Sequence, residues 1–117
     1  MHGTSYEMGD LIKELAASVQ GFHERFALVG PTSQQEMLNR IPIQEEEVRE
    51  LHQAILQEPP ENVANEAVDV LYVAIGTILR LEPELAAQAI REVIRKNDAK
   101  TWETHHINEA GKVARRR

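Results

Sequence analysis

The chain has 117 residues, 42% of them hydrophobic and 27% charged, with 13 basic against 19 acidic side chains and a formal net charge of −6. That is enough for one domain with a core and too little for two ordinary ones. It contains no cysteine, which excludes a disulfide framework and a thiolate zinc site and leaves nothing that speaks for an oxidising compartment.

Residues 1–5 show no basic segment followed by an apolar one, so no secretory leader is read there, and they are expected to be flexible, native or not. Met8, Leu11, Ile12, Leu15, Val19, Phe22 and Phe26 recur at spacings of three and four, which predicts a first amphipathic helix from about Tyr6 to Phe26. Gly30 and Pro31 break it. Residues 34–40 read as a short helical turn. Because proline is tolerated best at a helix start, Pro42 places the next helix from about Ile41 to Gln57. Pro59 and Pro60 end that one. A third helix, from about Glu61 to Leu81, is apolar nearly all round, with a narrow polar strip of Glu66, Asp69, Gly76 and Arg80. Its apolar run from Val68 to Leu79 is shorter than the roughly 20 residues of a membrane span, so no membrane contact is expected. Pro83 opens a fourth helix with Ala86, Ala89, Ile90, Val93 and Ile94 as its inner stripe, continued by Asn97 and Lys100. Residues 103–117 lose periodicity and are expected to be flexible or peripheral, with Arg115, Arg116 and Arg117 a mobile, solvated end. No stretch alternates long enough to predict a strand.

The fold class is therefore all-α, a bundle of four to five helices in one domain spanning 1–117. The active site is expected between helices and completed by oligomerisation. A helix apolar on every side, and a second helix with apolar residues on two sides, need more cover than one small bundle provides. A homodimer or homotetramer is expected, in the cytoplasm.

Charge is concentrated. Between Glu45 and Asp69 eight acids face Arg49 alone, a local charge of −7, while the rest of the chain sums to +1. Such a field repels nucleic acid, so none is expected as a partner. On a helix, residues three and four apart share a side. Glu46, Glu47 and Glu50 therefore lie on one face of the second helix, and Glu66 and Asp69 on one face of the third. Asp69 stands in an otherwise apolar segment with no Lys or Arg between Glu50 and Arg80 to compensate it. An unpaired buried charge is costly, and two carboxylates about 5 Å apart repel by roughly 3 kcal/mol at an effective dielectric near 20. A divalent cation is the simplest partner. Oxygen-only ligands suit Mg²⁺ or Mn²⁺, which bridge to substrate phosphates.

The pattern Glu46-Glu47-x-x-Glu50 followed by Glu66-x-x-Asp69 resembles the all-α nucleoside triphosphate pyrophosphohydrolase superfamily, which includes MazG-like proteins, all-α dUTPases and phosphoribosyl-ATP pyrophosphohydrolase. Three further elements carry the likeness: Phe22-His23-Glu24-Arg25-Phe26, the segment Leu71 to Thr77, and Arg95-Lys96-Asn97-Asp98-Ala99-Lys100. Asp98, where an apolar residue is usual, and Pro42, close before the acids, depart from the pattern. The resemblance implies hydrolysis of a nucleoside triphosphate to monophosphate and pyrophosphate with Mg²⁺ or Mn²⁺. Glu47, Glu50, Glu66 and Asp69 would be the metal ligands, and Glu46 or Glu47 the residue that orients or deprotonates the attacking water. Asn97, Lys100 and Arg95 would contact phosphate or sugar, and Phe22, His23 and Phe26 the base. Trp102 is a candidate to stack on a base from a neighbouring subunit, to act as a lid, or to pack. Housekeeping of the nucleotide pool is the preferred role, with phosphoribosyl-ATP as the alternative substrate. A non-catalytic dimerisation or nucleotide-sensing module is the reading from another class. A di-iron bundle is disfavoured, because only Glu103 and His106 supply a Glu-x-x-His pair.

Overall fold

The computed structural model describes residues 7–117, so the expected helix start at Tyr6 and the expected flexible segment 1–5 lie outside the described residues. The protein is all-α apart from one short hairpin. Among the described residues four helices follow in chain order, α1 (Met8–Arg25), α2 (Gln34–Gln57), α3 (Pro60–Leu79) and α4 (Pro83–Asp98), and then two strands, β1 (His105–Ile107) and β2 (Val113–Arg115). The chain divides into two compact units, one ending at Pro83 and one covering Glu84–Arg117.

In the first unit α3 packs against both α1 and α2. Val19 on α1 and Ala54 on α2 are the fully buried apolar side chains among the described residues, and the small Gly76 of α3 is buried too. α1 closes with a tight turn in which Leu28 N–H donates to the His23 carbonyl at 2.8 Å. Ala27 takes a left-handed φ of 59° there, at a cost of about 1–2 kcal/mol for a side chain with a Cβ. That turn returns the Leu28 carbonyl to His23 Nδ1 at 3.1 Å, fixing the ring.

α2 is one continuous helix of 24 residues, not the expected turn followed by a second helix at Ile41. Ser33 caps it, its Oγ accepting from Glu36 N–H. Pro42 lies inside, where it removes one backbone hydrogen bond. The helix survives because it is tied to α3 on both sides of the proline. Before it, Arg40 donates to Thr77 Oγ1 at 2.7 Å and the Val73 carbonyl at 3.0 Å; after it, Gln44 donates to the Val70 carbonyl at 3.1 Å. α3 begins at Pro60, which occupies the first helical turn where a missing N–H costs nothing, and is capped at Arg80, within two residues of the expected bounds. It is long and apolar enough to cross a membrane by length and composition, yet its Glu66 and Asp69 meet Glu47 of α2, an arrangement of packed protein helices.

The second unit corrects the expectation that no stretch forms a strand. β1 and β2 pair antiparallel in the register His105 with Arg115, His106 with Ala114 and Ile107 with Val113. Asn108 builds the turn, its Oδ1 accepting from the N–H groups of Ala110 and Lys112 at 3.0 Å each, and Gly111 supplies the left-handed φ of 82°. Arg116 Nε donates to the Trp102 carbonyl at 2.7 Å, joining the end of the hairpin to its start.

Candidate metal centre

The hydrogen bonds from α2 to α3 run in opposite chain directions, Arg40 to Thr77 and Gln44 to Val70, so the two helices are antiparallel and successive turns of one meet successive turns of the other. One turn beyond Gln44 the next rung is acidic. Glu47 of α2 meets Glu66 and Asp69 of α3, with one carboxylate oxygen of each within 4.8 Å of the others. Glu50, one turn further, is near enough for its charge to act on both Glu47 and Glu66. Three of the four acids expected to hold a metal, Glu47, Glu66 and Asp69, thus converge, and Glu50 lines the cavity beside Glu66. Glu46 sits beside them, lining an open cavity of about 580 Å³ with Glu50, Glu58 and Glu66.

The electrostatics are strained in one direction. Burial, then the charges of Glu50 and Asp69, raise the Glu47 carboxyl above the ordinary carboxylate range. Burial raises Glu66 as well, followed by the contact with Glu50 and the charge of Glu50 and Asp69. Glu47 Oε2 and Glu66 Oε2 are enclosed and have no hydrogen-bond donor. Buried acceptors without donors are rare because desolvation goes uncompensated. A hard dication satisfies both, and the all-oxygen donor set fits Mg²⁺ or Mn²⁺.

The aromatic residues of α1 form a separate group. Phe22 and Phe26 have ring centroids 4.9 Å apart, and Tyr72 of α3 meets Phe22 edge-on at 6.0 Å. Tyr72 also bonds Ser18 across the helix pair at 3.2 Å. Phe26 is largely exposed, whereas His23 is 5% exposed, its pKa pulled below the usual histidine value chiefly by burial. His23 is thus a structural neighbour of Gly76 in the α1–α3 interface: a Cβ on Gly76 would stand 2.6 Å from its Nε2.

The remaining expected contacts belong to the second unit. Asn97 donates to the Val93 carbonyl of its own helix at 2.8 Å and accepts from Lys100 Nζ at 3.0 Å. Arg95 is paired with Glu92 through both Nε and Nη2. Lys100 and Trp102 line a cavity of about 230 Å³ with His105 and His106.

Sequence reasoning missed a second polar cluster on the first unit. Arg40 and Thr77 bond as described, and Arg80, 8% exposed, pairs through Nη2 with Glu36 at 3.1 Å. The signal was present for Arg40, which precedes Glu47 by seven residues and so shares its helix face.

Residues 29–97 match the family model described as phosphoribosyl-ATP pyrophosphohydrolase. Comparison with curated proteins and with solved structures finds no match. The matched stretch is more than half of the chain and contains every acid of the cluster. The chain belongs to the phosphoribosyl-ATP pyrophosphohydrolase family, within the MazG-like all-α nucleoside triphosphate pyrophosphohydrolase superfamily.

Proposed function

We propose that the protein is a Mg²⁺-dependent or Mn²⁺-dependent nucleotide pyrophosphohydrolase that splits a nucleoside triphosphate into monophosphate and pyrophosphate. The observation that carries this reading is the meeting of Glu47, Glu66 and Asp69 within 4.8 Å, with two enclosed carboxylate oxygens lacking any donor. Glu47, Glu50, Glu66 and Asp69 would hold the metal, which supplies positive charge against the polyphosphate and acidifies water at the site. Glu46 lines the open cavity outside the tight triad, which favours it as the residue that orients the attacking water and accepts its proton. Glu47 remains a ligand in this division of roles. The cavity of about 580 Å³ has room for a triphosphate. Asn97 and Lys100, hydrogen-bonded to each other, are the candidates for phosphate or sugar contact. Arg95 is the weaker candidate because Glu92 occupies its guanidinium. Phe22 and Phe26 remain the candidates for the base, with His23 limited to shaping that surface from beneath.

Two substrates compete. A nucleoside or deoxynucleoside triphosphate fits a housekeeping role, and phosphoribosyl-ATP is favoured by the family match itself. A homodimer or homotetramer is part of the proposal. It is supported by the apolar side chains that α2 and α3 leave half exposed, among them Leu38, Ile41, Val48, Ile55 and Val68. A cytoplasmic location accords with a soluble enzyme family. The test is a pyrophosphate-release assay over deoxynucleoside triphosphates, ribonucleoside triphosphates and phosphoribosyl-ATP with each metal, run beside Glu50→Gln. Pyrophosphate release lost in the variant is the expected result; stepwise orthophosphate release, or an unaffected variant, refutes the reading.

A further inference from the structure

The first unit has a second charged pole, opposite in sign to the carboxylate cluster. Asp69 lies on α3 and Arg80 caps the C-terminal end of that helix, about 16 Å further along its axis. At the Arg80 end a cavity of about 210 Å³ is lined by Thr32, Glu36, Asn39, Arg40 and Arg80. Arg80 is more than nine-tenths buried, and its Nη1 is enclosed without an acceptor. Thr32 Oγ1 is likewise enclosed and unbonded. The Arg80 guanidinium is paired with one carboxylate, that of Glu36, which is 58% exposed and reaches only its Nη2, whereas Arg40 donates to the neutral oxygens of Thr77 and Val73. Thr32 immediately precedes the Ser33 cap of α2, so the positive end of a 24-residue helix dipole adds to the field. Arg40 and His23 feel this excess: burial and then the charge of Arg80 lower Arg40, and burial, with the charges of Arg40 and Arg80 behind it, lowers His23 against the Leu28 hydrogen bond, which raises it.

Arg80 and Thr32 both line this cavity and each holds an enclosed polar atom without a partner; with two guanidinium groups there against the one carboxylate of Glu36, the arrangement calls for an anion rather than for another hydrophobic group. A free N–H of a guanidinium and a hydroxyl beside a helix N-terminus suit an acceptor with several oxygens. We propose that the Thr32–Arg40–Arg80 cavity binds a phosphoryl oxyanion, at a site separate from the carboxylate cluster. Arg80 Nη1 and Thr32 Oγ1 donate to it, and Glu36 is the rim carboxylate that competes with it for Arg80.

The probe is inorganic phosphate, added to the metal-free protein in excess chelator at constant ionic strength and followed by calorimetry and thermal melting. Saturable binding is expected. Loss of a charged donor makes it at least about tenfold weaker in Arg80→Gln, and loss of a hydroxyl donor several-fold weaker in Thr32→Val. Glu36→Gln, which removes the competing charge, binds phosphate more tightly than the parent. Thr32→Val and Glu36→Gln alter one exposed or nearly isosteric group each, so they keep the test open if Arg80→Gln fails to fold. Adenosine monophosphate is titrated in parallel. Tighter binding of the nucleotide, lost in Thr32→Val, assigns the site to a phosphoryl group on a nucleotide; equal or tighter binding of inorganic phosphate assigns it to the free anion. No saturable binding of either, or binding unchanged by Thr32→Val and Glu36→Gln, overturns the proposal and leaves water as the partner of Arg80 and Thr32. Neither metal nor turnover enters the readout, so an inactive enzyme would not register as a failure here.

Discussion

Replacing Glu47 by Gln should stabilise the metal-free protein and abolish its response to metal. Glu47 presents an oxygen within 4.8 Å of oxygens on Glu66 and Asp69. At that separation two unit charges repel by about 3.5 kcal/mol at an effective dielectric of 20 and by about 0.9 kcal/mol in water. The cluster opens to solvent at Asp69, so the net relief on removing one charge falls to about 1–2 kcal/mol. The new amide adds a donor among carboxylates that have none. For a domain of this size the gain corresponds to a melting temperature about 4–10 °C higher. With saturating Mg²⁺ or Mn²⁺ the order reverses, because binding to the native state stabilises only a protein that retains its ligands. Scanning calorimetry in chelator and in metal, on both proteins, measures this directly. A variant that melts below the parent in chelator, or that gains as much from metal as the parent does, refutes the argument that these carboxylates repel one another until a cation joins them.

Acidification should close the gap between the two proteins. Glu47 and Glu66 have folded pKa values raised above those of the unfolded chain, so their contribution is fully present below the ordinary glutamate value and is lost as pH rises through the folded values. Melting curves of parent and Glu47→Gln from pH 8 down to pH 4.5 should therefore converge. His23 acts with the opposite sign: its folded pKa is lowered, so its contribution is present above about pH 6.5 and is lost as pH falls through the folded value. His23→Asn, whose amide can still donate to the Leu28 carbonyl, should flatten that acid limb in the same melts. Gly76→Ala should cost about 1–3 kcal/mol, because its methyl would stand 2.6 Å from His23 Nε2 and 2.7 Å from Arg40 Nη2 in a packed interface; chemical denaturation with an unchanged m-value checks it. Ser33→Ala should cost about 1 kcal/mol by the same measurement, since the Ser33 Oγ accepts the Glu36 N–H at the start of α2.

The acids were legible in the sequence because helical spacing alone puts Glu47 with Glu50 and Glu66 with Asp69, and because Asp69 in an apolar run demands a partner. What the spacing could not give was the pairing of the two faces, which depends on the antiparallel register set by Arg40 and Gln44 against α3. The same two residues explain the misread break at Pro42. A local rule about proline was overridden by side-chain hydrogen bonds to a helix distant in sequence, bonds that leave no periodic trace. The hairpin escaped for a different reason. Strands of three residues are too short to show alternation, and the informative residues were Asn108 and Gly111, whose turn chemistry was present in a segment that lacked periodicity. Arg80 was seen as part of a polar strip, but its burial beside Thr32 depends on the loop between α1 and α2 folding back, through a left-handed Ala27 that no propensity favours. One physical circumstance therefore separates what could be read from what could not. Groups whose meaning lies within a few turns of one helix announce themselves, whereas groups whose meaning is set by contact across the α2–α3 ladder or the α1–α2 turn show it only in the folded chain. The two poles of α3 differ in this respect, the acidic end belonging to the first kind and the arginine end to the second.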